Sequence, residues 1–159
     1  IDNATADAEH TLAITFTREA AAQLRRRTPR GIHTGTFHAI AFALLRQRCT
    51  DQGRPLPTVL TNRYGIVNES IKFIRSRVNV SEALSELEWL QARALTPPAY
   101  AAAAAAAKRT TTAKPEDLEK VFSEYEKTKA KRGVVDLGDL LSRTTHDIAN
   151  DFDYAEATR

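Results

Sequence analysis

Short apolar runs that end on hydroxyl residues open the chain, and amphipathic stripes at helical spacing fill most of the remainder. "TLAITF" (11–16) is β-branched, apolar and too short for a buried helix, so it predicts a strand. Thr17 comes next as an N-cap, because its hydroxyl can accept from a backbone N–H that has no partner inside the helix. "REAAAQLRRR" then predicts a helix with Glu19 at its positive end and Arg25 to Arg27 at its negative end, stopped by Thr28-Pro29. "GIHTGTF" (31–37) repeats the pattern: a short strand, Thr36 as cap, and "FHAIAFALLRQRC" as a helix turning Ile40, Leu44 and Leu45 to a core.

From about Thr61 the pattern is helix after helix. "YGIVNESIKFIRSRV" puts Val67, Ile71, Ile74 and Val78 on one face. Ser81 is the expected cap of "EALSELEWLQARAL", whose stripe is Ala83, Leu87, Leu90 and Ala94. Pro97-Pro98 breaks the chain, the alanine run 101–107 forms a short helix, and "KRTTTAKP" is a polar linker. "PEDLEKVFSEYEKTKAKRG" carries Pro115 at N1, acids first, bases last and Gly133 beyond the end, with Leu118, Val121, Phe122 and Tyr125 buried. In the last segment Asp136 caps a helix with Leu137, Leu140, Leu141, Thr144 and Ile148 on one side. The expected architecture is a piece of a parallel α/β domain carrying an inserted helical subdomain, predominantly α overall. Two strands do not make a stable open sheet. The sheet is therefore expected to continue outside this segment.

Composition narrows the class. The 159 residues suit one domain, or one with a small insertion. No apolar run approaches the ~18 residues that cross a bilayer, and "IDNATADAEH" lacks the features of a signal peptide, so a soluble chain without a membrane partner is expected. Cys49 is the single cysteine, which excludes an internal disulfide and points to a reducing compartment, the cytoplasm. The Asn-X-Ser/Thr matches at Asn3, Asn68 and Asn79 then read as chance. Methionine is absent even from position 1, from which the chain is expected to be part of a longer product.

Charge is uneven. Between Arg18 and Arg63 there are nine Arg and no Lys against Glu19 and Asp51, whereas 116–159 holds seven bases and eleven acids. A basic first third fits a phosphate-bearing partner; solvated helix faces and helix-end charges fit it equally well. In open α/β sheets ligands lie beyond the carboxyl ends of strands, where helix N-termini offer free N–H groups. Thr17 and Thr36 stand at two such ends, with Phe16 and Phe37 near enough to stack on a base. Taken singly, each phenylalanine reads as core, each threonine as a cap and His38 as a helix-start residue. His33 and His38 have no metal-ligand spacing with Cys49, so no metal is expected.

"ITFTREAAAQLRRR" succeeded about twenty residues later by "GTFHAIAFALLR" resembles the UvrD/PcrA/Rep class of superfamily 1 DNA helicases, in which TFT-x-x-AA and TFH segments succeed one another at this distance. "VFSEYEKTKAKRGVVDLGDLL" is similar to that family's tyrosine-bearing helix leading into LDFDDLL, so the resemblance covers essentially the whole chain. It implies that 1–60 is part of the RecA-like motor domain 1A, that 61–133 is the helical subdomain 1B, and that 134–159 returns to 1A before the Walker B strand. It further implies that Thr15, Phe16, Thr17, Thr36, Phe37 and His38 line a single-stranded DNA track. Arg18-Glu19 stands where the family has Asn-Lys, which removes an amide and keeps a cation for phosphate. Asp136-Leu137-Gly138-Asp139 stands for Asp-Phe-Asp-Asp, keeping the cap but losing an aromatic and a charge.

Neither Gly-x-x-x-x-Gly-Lys nor DExQD is present, and none of the glycines at 31, 35, 53, 65, 133 and 138 precedes a lysine. The acidic cluster of Asp151 and Asp153 lacks the apolar strand that should precede it. The resemblance thus implies a parent that uses ATP and Mg2+ and moves 3' to 5', with no catalytic residue and no bound cofactor in this segment. Its implied partners are single-stranded DNA, duplex junctions and the rest of the helicase chain. Lys72, Arg75, Arg77, Lys108 and Arg109 can reach duplex backbone or can be a solvated face. A nucleic-acid-binding module without an ATPase, and a helical interaction domain, remain the alternatives.

Overall fold

The computed structural model describes residues 8–157. It is predominantly helical with two small parallel sheets, and it divides into two compact units, Ile1–Leu56 with Arg143–Arg159, and Pro57–Ser142. Among the described residues no helix is long and apolar enough to cross a membrane.

In the first unit β1 (Leu12–Thr15) leads through Thr17 into α1 (Arg18–Arg27), and β2 (His33–Thr36) leads directly into α2 (Phe37–Asp51). The strands pair in parallel from Leu12↔His33 to Thr15↔Thr36. Both expected caps form: the Thr17 hydroxyl accepts from Ala20 N–H at 3.1 Å and the Thr36 hydroxyl from Ala39 N–H at 3.3 Å. The buried stripe of α2 is Ala41, Leu45 and Cys49, while Ile40 and Leu44 are only half-buried. Leu45 is thus buried as expected, and Ala41 and Cys49, four residues before and after it, complete the stripe in place of Ile40 and Leu44. The later part of α7 (Leu137–Asn150) and α8 (Phe152–Ala157) complete this unit, α8 being an element that the apolar pattern does not predict. Thr144 donates to the Ala41 carbonyl and Tyr154 to that of Leu44.

The second unit opens with β3 (Thr58–Leu60), which pairs in parallel with β4 (Val134–Asp136). Neither three-residue strand is anticipated by the sequence pattern. Between them run α3 (Tyr64–Phe73), α4 (Val80–Ala92), a 3-10 turn at Pro97–Ala99, α5 (Tyr100–Ala106) and α6 (Pro115–Arg132). Pro115 starts α6, and Gly133 ends it with φ 63°, a left-handed conformation that glycine adopts without strain. Leu118, Val121, Phe122 and Tyr125 of α6 are all fully buried, and the Tyr100 ring meets Phe122 edge-on at 5.0 Å.

Several expectations need correcting. α3 stops at Phe73, not Val78, because Arg75 takes a left-handed φ of 53°. Ile74 is half-buried and Val78 buried, now from the loop. Asn79, not Ser81, caps α4: its Oδ1 accepts from Ser81 N–H at 2.8 Å and Glu82 N–H at 3.3 Å. Ala94 lies beyond the end of α4 and is exposed, while Ala83, Leu87 and Leu90 are buried as expected. On α7, Leu140 and Thr144 are buried and Leu141 half-buried, but Leu137 and Ile148 are exposed.

Candidate nucleic-acid interface

Because β1 and β2 are adjacent, parallel and in register at Thr15↔Thr36, the segments after them leave the sheet at the same end. That geometry brings the two aromatic residues together. The Phe16 and Phe37 rings lie 5.4 Å apart at 42°, with Phe16 87% exposed and Phe37 42% exposed. Burying such a side chain is worth ~1.5–3 kcal/mol, so a pair held open forgoes stability the fold would otherwise gain. Thr15 and Thr36 are half-buried; Thr17, Arg18 and His38 are exposed.

Each cap hydroxyl is engaged as an acceptor for the third N–H of its helix. Its proton remains to donate, and the first N–H groups of α1 and α2 have no acceptor within their own helices. The site therefore offers two aromatic faces, a guanidinium, an imidazole, two hydroxyl donors and two positive helix ends. Such a set of groups can hold an anion that also carries flat rings. Among the described residues no group of three or more His, Cys, Asp and Glu is placed to hold a metal.

The other charged candidates divide. Lys72, Arg75, Arg77 and Lys108 are exposed. Arg109 instead forks onto the buried Glu86 at 2.9 and 2.5 Å and lies 4.7 Å from the Trp89 ring centre. Its hydrogen bonds, opposed by burial and reinforced by one from Tyr100, hold the Glu86 carboxyl below its ordinary range. Arg109 is thus a tie within the unit and not a free cation. The acidic cluster has a similar role in the first unit. Asp151 accepts from Tyr154 N–H at 3.0 Å as the cap of α8 and from Arg48 at 2.5 Å, and Arg48 lies 4.5 Å from the Tyr154 ring centre.

The family-like stretch Asp136 to Asp139 proves to be the centre of a buried ionic network. Asp136 and Asp139 form a reciprocal capping box, each carboxylate accepting the other's backbone N–H at 2.9 Å. Asp136 also accepts from Tyr125 at 2.7 Å, Gln91 at 2.8 Å and Lys129 at 3.1 Å. Lys129, 1% exposed, also reaches Asp139 at 2.7 Å and Glu126 at 2.9 Å. Burial pushes the Asp136 carboxyl up, but the Lys129 charge and the donated hydrogen bonds together outweigh it and hold the group below its ordinary value. Burial likewise pushes Lys129 down, and its hydrogen bonds and attraction to the carboxylates leave it above. Sequence reasoning missed Lys129, although it continues the stripe Leu118, Phe122, Tyr125 at helical spacing.

With this geometry in place, the likeness to known proteins is specific. The family model of the UvrD/REP helicase N-terminal domain matches residues 1–159. The chain is 32% identical over 167 aligned residues to ATP-dependent DNA helicase UvrD2 of Mycobacterium bovis, and to that of Mycobacterium tuberculosis, covering 91% of this chain and 23% of each relative. It is 27% identical over 154 residues to DNA helicase II of Haemophilus influenzae, covering 83% of this chain and 20% of that protein. The chain thus spans less than a quarter of the curated relatives it matches. Motif order, the paired strand ends and the family match agree, and the chain belongs to the UvrD/REP helicase N-terminal domain family.

Proposed function

We propose that this chain supplies part of the single-stranded DNA track of an ATP-dependent DNA helicase that moves 3' to 5'. In this reading the first unit belongs to a RecA-like motor domain, 1A, whose sheet continues in other parts of the parent protein. The helical segment between β3 and β4 is subdomain 1B, near the duplex junction. ATP and Mg2+ act on parts of the parent other than this segment, which alone does not turn over nucleotide. The residues assigned to DNA are Thr15, Phe16, Thr17, Arg18, Thr36, Phe37 and His38.

The observation that carries the reading is the exposed Phe16–Phe37 pair at the joint carboxyl ends of two parallel strands. Bases stack on the rings while phosphates take the cap hydroxyls, the helix N–H groups and Arg18. Stacking is worth ~1–3 kcal/mol per base, so Phe16→Ala is expected to weaken binding about 5- to 150-fold. The test is fluorescence anisotropy with labelled single-stranded and duplex DNA across a salt series, for the chain and for Phe16→Ala, Phe37→Ala and His38→Ala. A preference for single strands that the substitutions reduce supports the track. Salt-sensitive binding indifferent to all three would leave only phosphate attraction and remove the track.

A further inference from the structure

The side of α1 that packs inward is set by Ala21, buried, and by Leu24 and Thr28, half-buried. At 3.6 residues per turn, Arg18, Ala22, Arg25 and Arg26 fall at i, i+4, i+7 and i+8 on a different side, and all four are exposed. Arg18 and Arg26 have no ion pair or side-chain hydrogen bond among the described residues. Arg25 gives one Nη2 hydrogen bond to the Thr34 carbonyl at 3.0 Å, which orients its guanidinium and leaves other N–H donors uncommitted. Ala22 leaves a low point between the guanidinium groups, and Glu19 is the one acid of the helix. From Arg18 to Arg26 the helix rises ~12 Å, long enough to follow a strand past more than one phosphate. This face begins at Arg18, two residues from the exposed Phe16 ring.

We propose that the Arg18–Arg25–Arg26 face of α1 is a second contact surface for a sugar–phosphate backbone, carrying the strand onward from the phenylalanine pair. The inference rests on the nucleic-acid reading of that pair and extends it to a surface the pair does not need. Arginine throughout, with its planar fork of donors, matches phosphate oxygens better than a diffuse positive field requires. Arg27, on another side of the same helix and also exposed, supplies an internal control.

The experiment compares the slope of log affinity against log salt for labelled oligothymidylate, using the full chain, Arg26→Gln, Arg25→Gln/Arg26→Gln, Arg27→Gln and Phe16→Ala/Phe37→Ala. Gln and Arg have nearly equal helix propensity, and Arg26→Gln breaks no contact, so it keeps the test valid if the double variant misfolds. Each lost phosphate contact is expected to lower the slope by about 0.7, so Arg26→Gln loses about 0.7 and the double variant about 1.4, with Arg27→Gln unchanged. An equal loss in Arg27→Gln, or none in Arg26→Gln, overturns the surface. Slopes that fall while Phe16→Ala/Phe37→Ala binds normally keep the surface and remove the stacking site; the converse keeps stacking alone. Equal affinity for poly-glutamate of matched charge overturns phosphate recognition in favour of an acidic peptide. No salt-sensitive binding by the unaltered chain overturns both readings.

Discussion

Replacing Lys129 by methionine keeps most of the unbranched side chain and removes the cation that three carboxylates share. Of the three, Glu126 is 40% exposed and the least enclosed, so the loss of the cation costs it least. Asp136 is wholly buried and Asp139 only 14% exposed, so these two are left facing each other at the start of α7 without a counter-ion. Breaking a buried pair by removing one partner costs about 3–5 kcal/mol. With a urea dependence of about 2 kcal/mol/M, the unfolding midpoint should fall by about 1.5–2.5 M. The readout lies within the same unit: Trp89 is the single tryptophan of the chain and packs against Tyr100 at 6.1 Å and Arg93 at 4.4 Å. Urea unfolding monitored by Trp89 fluorescence therefore reports this unit by itself. Lys129→Met combined with Asp136→Asn should recover part of the loss, because it also removes a stranded charge. A Lys129→Met midpoint within about 0.5 M of the unaltered chain would refute the claim that the network holds this unit together.

The same geometry fixes further outcomes. A Cβ on Gly138 would lie 2.5 Å from the Gln91 Cδ, which Arg63 and Asp136 hold in place, so Gly138→Ala should cost on the order of 1–3 kcal/mol by displacing that amide. Gln91→Ala with Gly138→Ala should cost less than the sum of the two in a double-mutant cycle by urea unfolding. Asp136 is held below its ordinary pKa, so its stabilisation is present above the unfolded value near ~3.9 and is lost as pH falls through the lower folded value. Glu126, raised by burial, works in the opposite sense and gains stability on protonation. Acid unfolding monitored by Trp89 should thus set in below about pH 4 and flatten in Asp136→Asn. Thr17→Ala and Asn79→Ala should each cost about 1 kcal/mol as lost caps, measurable by thermal melts, whereas Phe16→Ala should leave the melt within about 0.5 kcal/mol because its ring is already in water.

The strand ends and their caps were legible because their signals are local: a β-branched run, a hydroxyl at the turn and a helix former after it. That Phe16 and Phe37 meet was not, since it depends on the parallel register of β1 and β2, which no local pattern specifies. β3 and β4 escaped because three residues are too few for a period and their pairing partner lies on the far side of the helical segment. Asn79 and Ser81 are both good caps by residue type; the extended backbone of Asn79, at φ −72° and ψ 134°, decides between them. Lys129 was overlooked because a lysine suggests solvent, although three carboxylates near it can make burial tolerable.

The pairing of β3 with β4 bears on how this segment tolerates change over evolutionary time. At strand spacings of about 4.8 Å across and 3.3 Å along, the end of β3 at Leu60 and the start of β4 at Val134 lie within about 8 Å of each other. The segment between them therefore enters and leaves at nearly one place. The loops between the helices can be lengthened or shortened there without moving the two points where the segment joins the rest of the chain, whereas Gln91 of α4 and Lys129 of α6 stay tied to Asp136. Natural variants and engineered grafts should therefore concentrate their insertions and deletions between those two strands.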